Sequence, residues 1–296
     1  MEKRWIILLV LSTAGVASFF PLVKNLADLD PYVVAFLRYA IAALALLPIV
    51  LYRSFRLPHA KEWPFIIFLA CFTVTPTIFL TSGIAHTNSV TGAILMNTQP
   101  LMIGLISPLL IGEHVTFRKG IAIVLGVIGV ITVVSNGRGL DVALTPSYMA
   151  GIGLLLLAAS IAATNKIYSK TLVRRYDGLY TVFVTAALGS LILLMGMPFL
   201  SDVSQPWNLS GKELLVALWI GTMGTAFPWT IWSSSLKHLE VHVAASFNLL
   251  IPVFAALYAA LFLNETLTLW IIVGLVLTSI GVYIVQRESA TVVPHS

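Results

Sequence analysis

Polar side chains that could bind a solute lie inside long apolar runs of this chain. Arg38 and Lys166 are the basic residues well inside such runs, and they are accompanied by amides at Asn97, Gln99, Asn165 and Asn248. Guanidinium and ammonium groups bind anions such as carboxylates, and amides both donate and accept hydrogen bonds. These residue types indicate a site that binds a polar solute without reacting with it.

Groups suited to covalent catalysis are sparse. The single cysteine, Cys71, lies in an apolar run, and the five aspartates fall in predicted loops. One thiol can form neither an intrachain disulfide nor a thiolate metal cluster. The sequences H-E-x-x-H and G-x-x-x-x-G-K-[ST] do not occur. We therefore predict no catalytic residue, metal or cofactor, and an intramembrane enzyme stays as the alternative from a different class.

Two prolines mark the centre of the predicted site. Pro100 and Pro252 lie in the middle of apolar runs, where a proline removes a backbone hydrogen bond and frees a carbonyl to face a cavity. A structural kink without ligand contact is the alternative. The neighbours predicted to contact a ligand are Met96, Asn97, Gln99, Phe247 and Asn248. Since an amide is costly against lipid, at least some of them point inward, toward a ligand or toward another helix.

Two further runs carry polar and aromatic candidates for ligand contact. One contributes Thr77 and Phe79, and the other contributes Trp229 and Trp232 directly after a proline. Residues three apart share a helical face, so the two tryptophans predict a cavity wall. Packing or a place in an interfacial aromatic belt is the alternative.

The two buried cations have two explanations. Arg38 and Lys166 lie within about six residues of the ends of their runs, so snorkelling toward the interface explains both most simply. The alternative is contact with an anion such as a carboxylate. Because Asn165 adjoins Lys166, that run is predicted to line a solute path rather than the run of Arg38.

Two glutamates end apolar runs. At a helix C-terminus the negative charge of Glu113 or Glu265 gains nothing from the helix dipole, so another group must hold it there. A loop cation or the N-terminus of the next helix would serve. We predict that both glutamates are structural clamps, with proton transfer as the alternative role.

Composition requires that these runs lie in a membrane. Of 296 residues, 58% are hydrophobic and 10% are charged, and the mean hydropathy is +0.96. A soluble domain carries roughly 25% charged residues. Continuous runs without dyad alternation favour helices over a strand barrel. The sequence predicts an all-α integral membrane protein whose ten helices span residues 5–24, 32–52, 63–84, 88–111, 119–136, 146–170, 178–198, 212–236, 241–262 and 268–286.

Basic residues predict the orientation of these helices. Of the 17 lysines and arginines, twelve lie on the side of both termini, three lie on the other side, and two lie inside spans. The asymmetry places both termini in the cytoplasm of a multi-pass protein of the cell (inner) membrane. The first run resembles a signal peptide, but its length and the repeat described next predict that it is retained.

The chain matches itself at a shift of 152 residues. The pairs that share this shift include Pro76/Pro228, His86/His238, Pro100/Pro252, Glu113/Glu265 and Gly129/Gly281. The third to fifth spans thus correspond to the eighth to tenth, and five spans per half force the halves into opposite orientations. We predict two inverted five-helix repeats, 1–140 and 141–296. Such halves let a central site face each side in turn, which favours a transporter.

Several stretches resemble the EamA-type branch of the drug/metabolite transporter superfamily. The strongest lies within 244–285, with Pro252-Val253-Phe254-Ala255-Ala256-Leu257, Asn264-Glu265-Thr266-Leu267-Thr268 and the Gly274/Gly281 pair. The stretches 100–113 and Phe36-Leu37-Arg38-Tyr39-Ala40 look like the first copy. Asn264 stands where a glycine is usual, whereas Gly112 keeps the pattern. The resemblance implies a ten-helix permease that exports amino acids, metabolites or drugs.

These features predict a secondary, ATP-independent transporter that exports amino acids or related small amphipathic metabolites by alternating access. A nucleotide-sugar or sugar-phosphate carrier, or a drug transporter, is the alternative, although a phosphate would call for stronger cationic ligands than Arg38 and Lys166. The expected partners are a small-molecule substrate and the lipid bilayer, with no nucleic acid. The chain is predicted to be a monomer or a weak homodimer.

Overall fold

The chain folds as a bundle of membrane-length helices. The computed structural model describes residues 2–53, 58–111, 116–135, 145–235, 238, 244 and 246–291. Within these ranges every regular element is helical. Nine described segments are long and apolar enough to cross a membrane, and a shorter apolar one occupies Phe247–Leu263. The predicted all-α integral membrane fold is confirmed.

We number the spans α1 to α10. Seven are single helices: α1 (Glu2–Leu22), α2 (Pro31–Arg53), α3 (Trp63–His86), α5 (Phe117–Ser135), α6 (Pro146–Tyr176), α7 (Gly178–Leu200) and α10 (Leu269–Thr291). Three are composite: α4 (Ser89–Met96 and Gln99–Ile111), α8 (Gly211–Gly221, a π turn at Thr222–Ala226, and Phe227–Ser235) and α9 (a 3₁₀ turn at Phe247–Leu249, then Leu250–Leu263).

Two helices extend beyond their predicted ends. The sequence predicts an end at residue 170 for α6, which continues to Tyr176, and at residue 286 for α10, which continues to Thr291. Helical hydrogen bonding does not require apolar side chains. The length of an apolar run therefore underestimates the length of a helix whose last turns extend beyond the hydrocarbon core. Most of the predicted start of the ninth span, residues 241–243 and 245, lies outside the described residues.

Helix packing is symmetric between the two halves of the chain. α5 packs against α10 and α2 packs against α7, so each of these helices meets its own counterpart. The pair α3 and α6 is matched by the pair α8 and α1, and the pair α1 and α9 is matched by α6 and α4. Exchanging helices one to five with six to ten therefore leaves these contacts unchanged.

The contact between α5 and α10 shows that the halves are inverted. A Cβ atom on Gly129 would lie 2.7 Å from the Thr278 nitrogen, and one on Gly281 would lie 2.6 Å from the Ala122 oxygen. A late residue of α5 thus meets an early part of α10, and an early residue of α5 meets a late part of α10. The two counterparts run antiparallel, as inverted repeats require.

Apolar packing differs between the two ends of the bundle, which we call the Lys24 end and the Arg175 end. At the Lys24 end one cluster of buried side chains joins seven helices, and two smaller clusters lie beside it; the seven are α1, α2, α3, α4, α6, α8 and α9. At the Arg175 end the packing is divided between a cluster on α2, α3, α6 and α7 and another on α4, α5, α9 and α10. The most extensive of these clusters, which joins both halves, therefore lies at the Lys24 end.

Candidate functional site

Arg38 reaches into the bundle from α2. Its Nε donates a hydrogen bond to Thr225 Oγ1 at 2.9 Å, and its Nη1 donates to Thr77 Oγ1 at 3.3 Å. The guanidinium carbon lies 4.3 Å from the ring centre of Phe19, within cation–π range. The snorkelling predicted for Arg38 is therefore wrong, because hydroxyls on α3 and α8 and the α1 ring hold the guanidinium between the helices.

A chain of hydrogen bonds continues from Thr77 to the sixth span. The Tyr39 hydroxyl lies 3.1 Å from Thr77 Oγ1 and donates to the Thr73 carbonyl oxygen at 2.7 Å. Asn165 Nδ2 in turn donates to Thr73 Oγ1 at 3.2 Å. Among the residues that the structure describes, no hydrogen-bond partner reaches the buried Oδ1 of Asn165. We call the six residues Arg38, Tyr39, Thr73, Thr77, Asn165 and Thr225 the polar cluster.

An aromatic side chain borders the polar cluster. The ring of Trp229 lies 6.2 Å from the ring of Tyr39, centre to centre, and packs against apolar residues of α2 and α7. Trp232, three residues later on the same helix, is half-buried. Of the two tryptophans predicted to form a cavity wall, the structure brings Trp229 to the polar cluster.

A π turn and small residues bring Thr225 within reach of Arg38. Thr225 Oγ1 also donates to the Ile220 carbonyl oxygen at 2.8 Å, five residues back, inside the π turn. A Cβ on Gly221 would lie 2.6 Å from Ile41 Cβ, so only glycine allows α8 to approach α2 this closely. Single π turns occur frequently at functional sites because the extra residue reorients side chains.

The predicted prolines follow helix breaks instead of kinking continuous helices. α4 stops at Met96 and restarts at Gln99, so Pro100 lies in the first turn of the second piece, where its missing N–H has little consequence. Pro252 is the third residue of Leu250–Leu263, after the 3₁₀ turn of α9. The two breaks occupy equivalent places in the halves, which agrees with the 152-residue shift.

The break in α4 leaves one amide unsatisfied. Asn97 is buried there, and its Nδ2 meets no hydrogen-bond acceptor within the described part of the chain. A buried amide donor without an acceptor costs about 1–3 kcal/mol. Asn97 is therefore a candidate ligand contact in addition to the polar cluster, as its sequence position predicts.

The other predicted residues lie in different surroundings. Met96 and Phe79 pack against the apolar cluster of the Lys24 end, and Pro252 is buried. Half-buried positions are occupied by Gln99, Pro100, Phe247 and Asn248. The structure thus gathers only Arg38, Thr77, Asn165 and Trp229 of the predicted set, and substrate contact by the others stays a prediction.

Lys166 and Asn165 diverge although they are neighbours in sequence. The Asn165 side chain turns toward α3, whereas Lys166 is exposed on the outer face of α6. Successive helical residues differ in direction by roughly 100°, which accounts for the separation. The sequence pattern favoured the helix of Asn165 and Lys166 over that of Arg38 for lining a solute path. Both helices contribute to the polar cluster, α6 through Asn165 and α2 through Arg38.

Glu265 is held by the two kinds of partner predicted for it. Lys24 Nζ lies 2.7 Å from Glu265 Oε1, and the Ser89 backbone N–H donates to the same oxygen at 3.2 Å. Ser89 begins α4, so the helix N-terminus belongs to α4 instead of to the next helix in sequence. Glu113 lies outside the described residues, and the role of both glutamates as clamps stays a prediction.

Three members of the polar cluster were not predicted as site residues: Tyr39, Thr73 and Thr225. Thr73 and Thr225 are counterparts at the 152-residue shift, so they are related by the symmetry between the halves. Tyr39 directly follows Arg38. The two threonines could have been predicted as site residues from the sequence, because both are polar, lie within apolar spans and match at the repeat shift.

Fold and cluster together define a class of protein. Two inverted five-helix halves that enclose polar side chains within the bundle are the architecture of secondary transporters, in which the substrate binds between the halves. The sequence profile described as the EamA-like transporter family matches residues 3–135 and again residues 149–287. The chain belongs to the EamA-like transporter family.

Similar proteins extend over nearly the whole chain. An "Uncharacterized transporter" of Archaeoglobus fulgidus is 28% identical over 97% of this chain and 99% of its own. The "Uncharacterized transporter YvbV" of Bacillus subtilis is 27% identical over 91% of this chain and 87% of its own. A "Probable terminal-alkyne amino-acid exporter" of Streptantibioticus cattleyicolor is 24% identical over 95% of this chain and 93% of its own.

A solved crystal structure has the same fold. It superposes with a TM-score of 0.68 over 99% of this chain and 100% of its own, at 15% sequence identity. Such a likeness concerns the fold alone. The chain is thus a membrane transporter by family, and the part that the structure describes is all-α.

Proposed function

We propose that this chain exports amino acids or related small amphipathic metabolites by alternating access, without ATP. The polar cluster carries the proposal. It holds the guanidinium of Arg38 between Thr77 of the first half and Thr225 of the second, deep in the bundle. A cation in a membrane helix is costly and is retained chiefly where it binds something.

The chemistry of the cluster suits a zwitterion with an apolar part. Arg38 is the charged member of the cluster, and its guanidinium has further N–H donors that could bind a carboxylate in a bidentate manner. Asn165 Oδ1 is a buried acceptor that could bind an ammonium group. The Trp229 ring beside Tyr39 offers an apolar surface. A carboxylate, an ammonium and an apolar side chain together describe an amino-acid-like solute.

Export agrees with the packing of the two ends. The basic residues predict that the Arg175 end faces the cytoplasm. The two clusters named at that end join four helices each, whereas the largest cluster, at the Lys24 end, joins seven. A transporter in this conformation would take its substrate from the cytoplasmic side. The relative named as an amino-acid exporter supports the same direction and substrate class.

Phosphorylated substrates fit the cluster less well. A sugar phosphate or nucleotide sugar carries two or more negative charges, and among the six members of the polar cluster only Arg38 is cationic. An amphipathic drug without a carboxylate would not use Arg38. Both classes therefore serve as the contrasting substrates of the test.

The test is efflux from proteoliposomes that hold the purified protein. The vesicles are preloaded with a mixed panel of amino acids, sugar phosphates, nucleotide sugars and amphipathic drugs, and the loss of each compound is followed by mass spectrometry. We expect preferential loss of amino acids with apolar side chains. Preferential loss of a sugar phosphate or nucleotide sugar would refute the proposed substrate class, and loss of nothing above empty vesicles would refute transport of this panel.

A further inference from the structure

An ion pair joins the two halves at the Lys24 end. Lys24 follows α1 and Glu265 follows α9, and their side chains meet 241 residues apart in sequence with 32% and 15% of their surfaces exposed. Glu265 is therefore well shielded from water. Such a pair is screened less than a surface pair, and removing one partner leaves a largely buried charge uncompensated.

An unusual backbone conformation aims Glu265 at its partners. Asn264 ends α9 in the left-handed region, with φ 52°, and the Glu265 N–H donates back to the Ala259 carbonyl oxygen at 3.1 Å. Asparagine tolerates this region better than other residues with a Cβ. The conformation explains why Asn264 can occupy the position that corresponds to Gly112 in the first half.

The same carboxylate caps a helix of the other half. Asn88 accepts a hydrogen bond from the Thr91 N–H at 2.7 Å, and Glu265 Oε1 accepts one from the Ser89 N–H at 3.2 Å. The first turn of α4 is thus satisfied partly by its own cap and partly by the second half of the chain. Negative charge at this terminus also gains from the helix dipole.

The helices beneath this contact would have to separate if the proposed alternating access occurs. The first piece of α4, Ser89–Met96, packs on Leu250–Leu263 of α9, and Ala93 and Ala255 are fully buried in the shared apolar cluster. Exchanging the conformations of the halves would replace this contact by one between the opposite ends of α4 and α9. The contact at the Lys24 end would then be broken.

We infer that Lys24, Glu265 and the Ser89 N–H form a latch that holds the Lys24 end closed and must open for the substrate to leave. The inference rests on the proposed alternating access. Lys24 keeps the carboxylate in place, and the carboxylate holds α4 against α9. Opening separates an ion pair and a helix cap at the same time, so the latch favours the closed state until the halves exchange conformations.

The test measures how often the Lys24 end opens, independently of substrate. In a Cys71→Ser background, Ala93→Cys places a thiol in the buried cluster, and its reaction with a water-soluble maleimide reports opening in purified protein. Lys24→Gln and Glu265→Gln both remove the ion pair, and Glu265→Gln keeps an acceptor for Ser89. We expect labelling about five times faster in both variants, and faster still in Glu265→Ala, which also lacks the cap.

Lys212→Gln is the matched control, because Lys212 is an exposed lysine at the same end of the bundle. Its labelling rate should equal that of the parent protein. If Lys24→Gln and Glu265→Gln label at the parent rate, the contact is not a latch, whatever the efflux assay shows. If labelling accelerates as expected but no panel compound is exported, the latch stands and the proposed substrate class is refuted. The two glutamine variants decide the matter even if Glu265→Ala fails to fold.

Discussion

At the scale of single residues, the proposed function depends most on the position of the Arg38 guanidinium. Arg38 and Lys166 are at similar distances from their span ends, so sequence position alone treats them alike. Their difference arises from helical phase and from neighbours. Arg38 faces hydroxyls on α3 and α8, whereas Lys166 lies on an exposed face. Those neighbours are distant in sequence, and a single sequence does not specify them.

Replacing Arg38 should reduce the efflux of substrates that carry a carboxylate more than the efflux of substrates that lack one. We expect Arg38→Gln to reduce efflux of an apolar amino acid about ten-fold or more, as loss of a charge-assisted hydrogen bond predicts. The corresponding amine without the carboxylate should lose much less. Arg38→Lys should also be impaired, since an ammonium cannot bond Thr77 and Thr225 in the same fork geometry. Efflux is normalised to the amount of protein in the vesicles.

Arg118 supplies the control for this charge removal, because it is exposed at the start of α5. Arg118→Gln should transport both solutes at the parent rate. Equal losses of amino acid and amine efflux in Arg38→Gln would mean that Arg38 supports the bundle and does not bind the carboxylate.

At the scale of helices, the sequence predicted where elements lie better than how they are interrupted. Proline positions indicated the irregular places in α4 and α9, but not that each helix would stop and restart before its proline. The π turn of α8 carried no sequence signal of its own. Such interruptions depend on backbone hydrogen bonds that are exchanged with neighbouring helices, and apolar periodicity does not report them.

Glycines at the α5–α10 contact should be intolerant of even one added methyl group. In Gly129→Ala and Gly281→Ala the new Cβ would meet backbone atoms of the facing helix within 3 Å. Backbone atoms cannot move aside as the end of a flexible side chain can. We therefore expect overpacking to lower the free energy of unfolding by about 1–3 kcal/mol in each variant. The midpoint of thermal unfolding in detergent should fall by several degrees.

Gly153→Ala in α6 is the comparison, since a Cβ there meets no atom within 4 Å. Its unfolding midpoint should stay unchanged or rise slightly, because alanine favours the helix. If the three variants unfold at the same temperature, α5 and α10 do not pack as closely as the two glycines imply.

At the scale of the whole molecule, the repeat was the most informative sequence feature. The 152-residue shift and an odd number of spans per half predicted inverted halves, and the antiparallel contact of α5 with α10 agrees with that arrangement. What the shift does not predict is the asymmetry of the two ends. Both halves share one sequence pattern, yet only one end of the bundle is closed. Two halves of the same fold must adopt different conformations for a central site to face a single side.

The orientation of the protein in the membrane determines which side the closed Lys24 end faces. The basic residues predict cytoplasmic termini, so the Lys24 end would face away from the cytoplasm. The latch would then lie on the side where an exporter releases its substrate. A reporter fused after Ser296 should therefore be active only as a cytoplasmic reporter. The same reporter inserted in the α7–α8 connection, next to Val203, should be active only on the opposite side. An external signal after Ser296 would place the latch at the cytoplasmic end. The site would then open away from the cytoplasm in this conformation, which would argue against export.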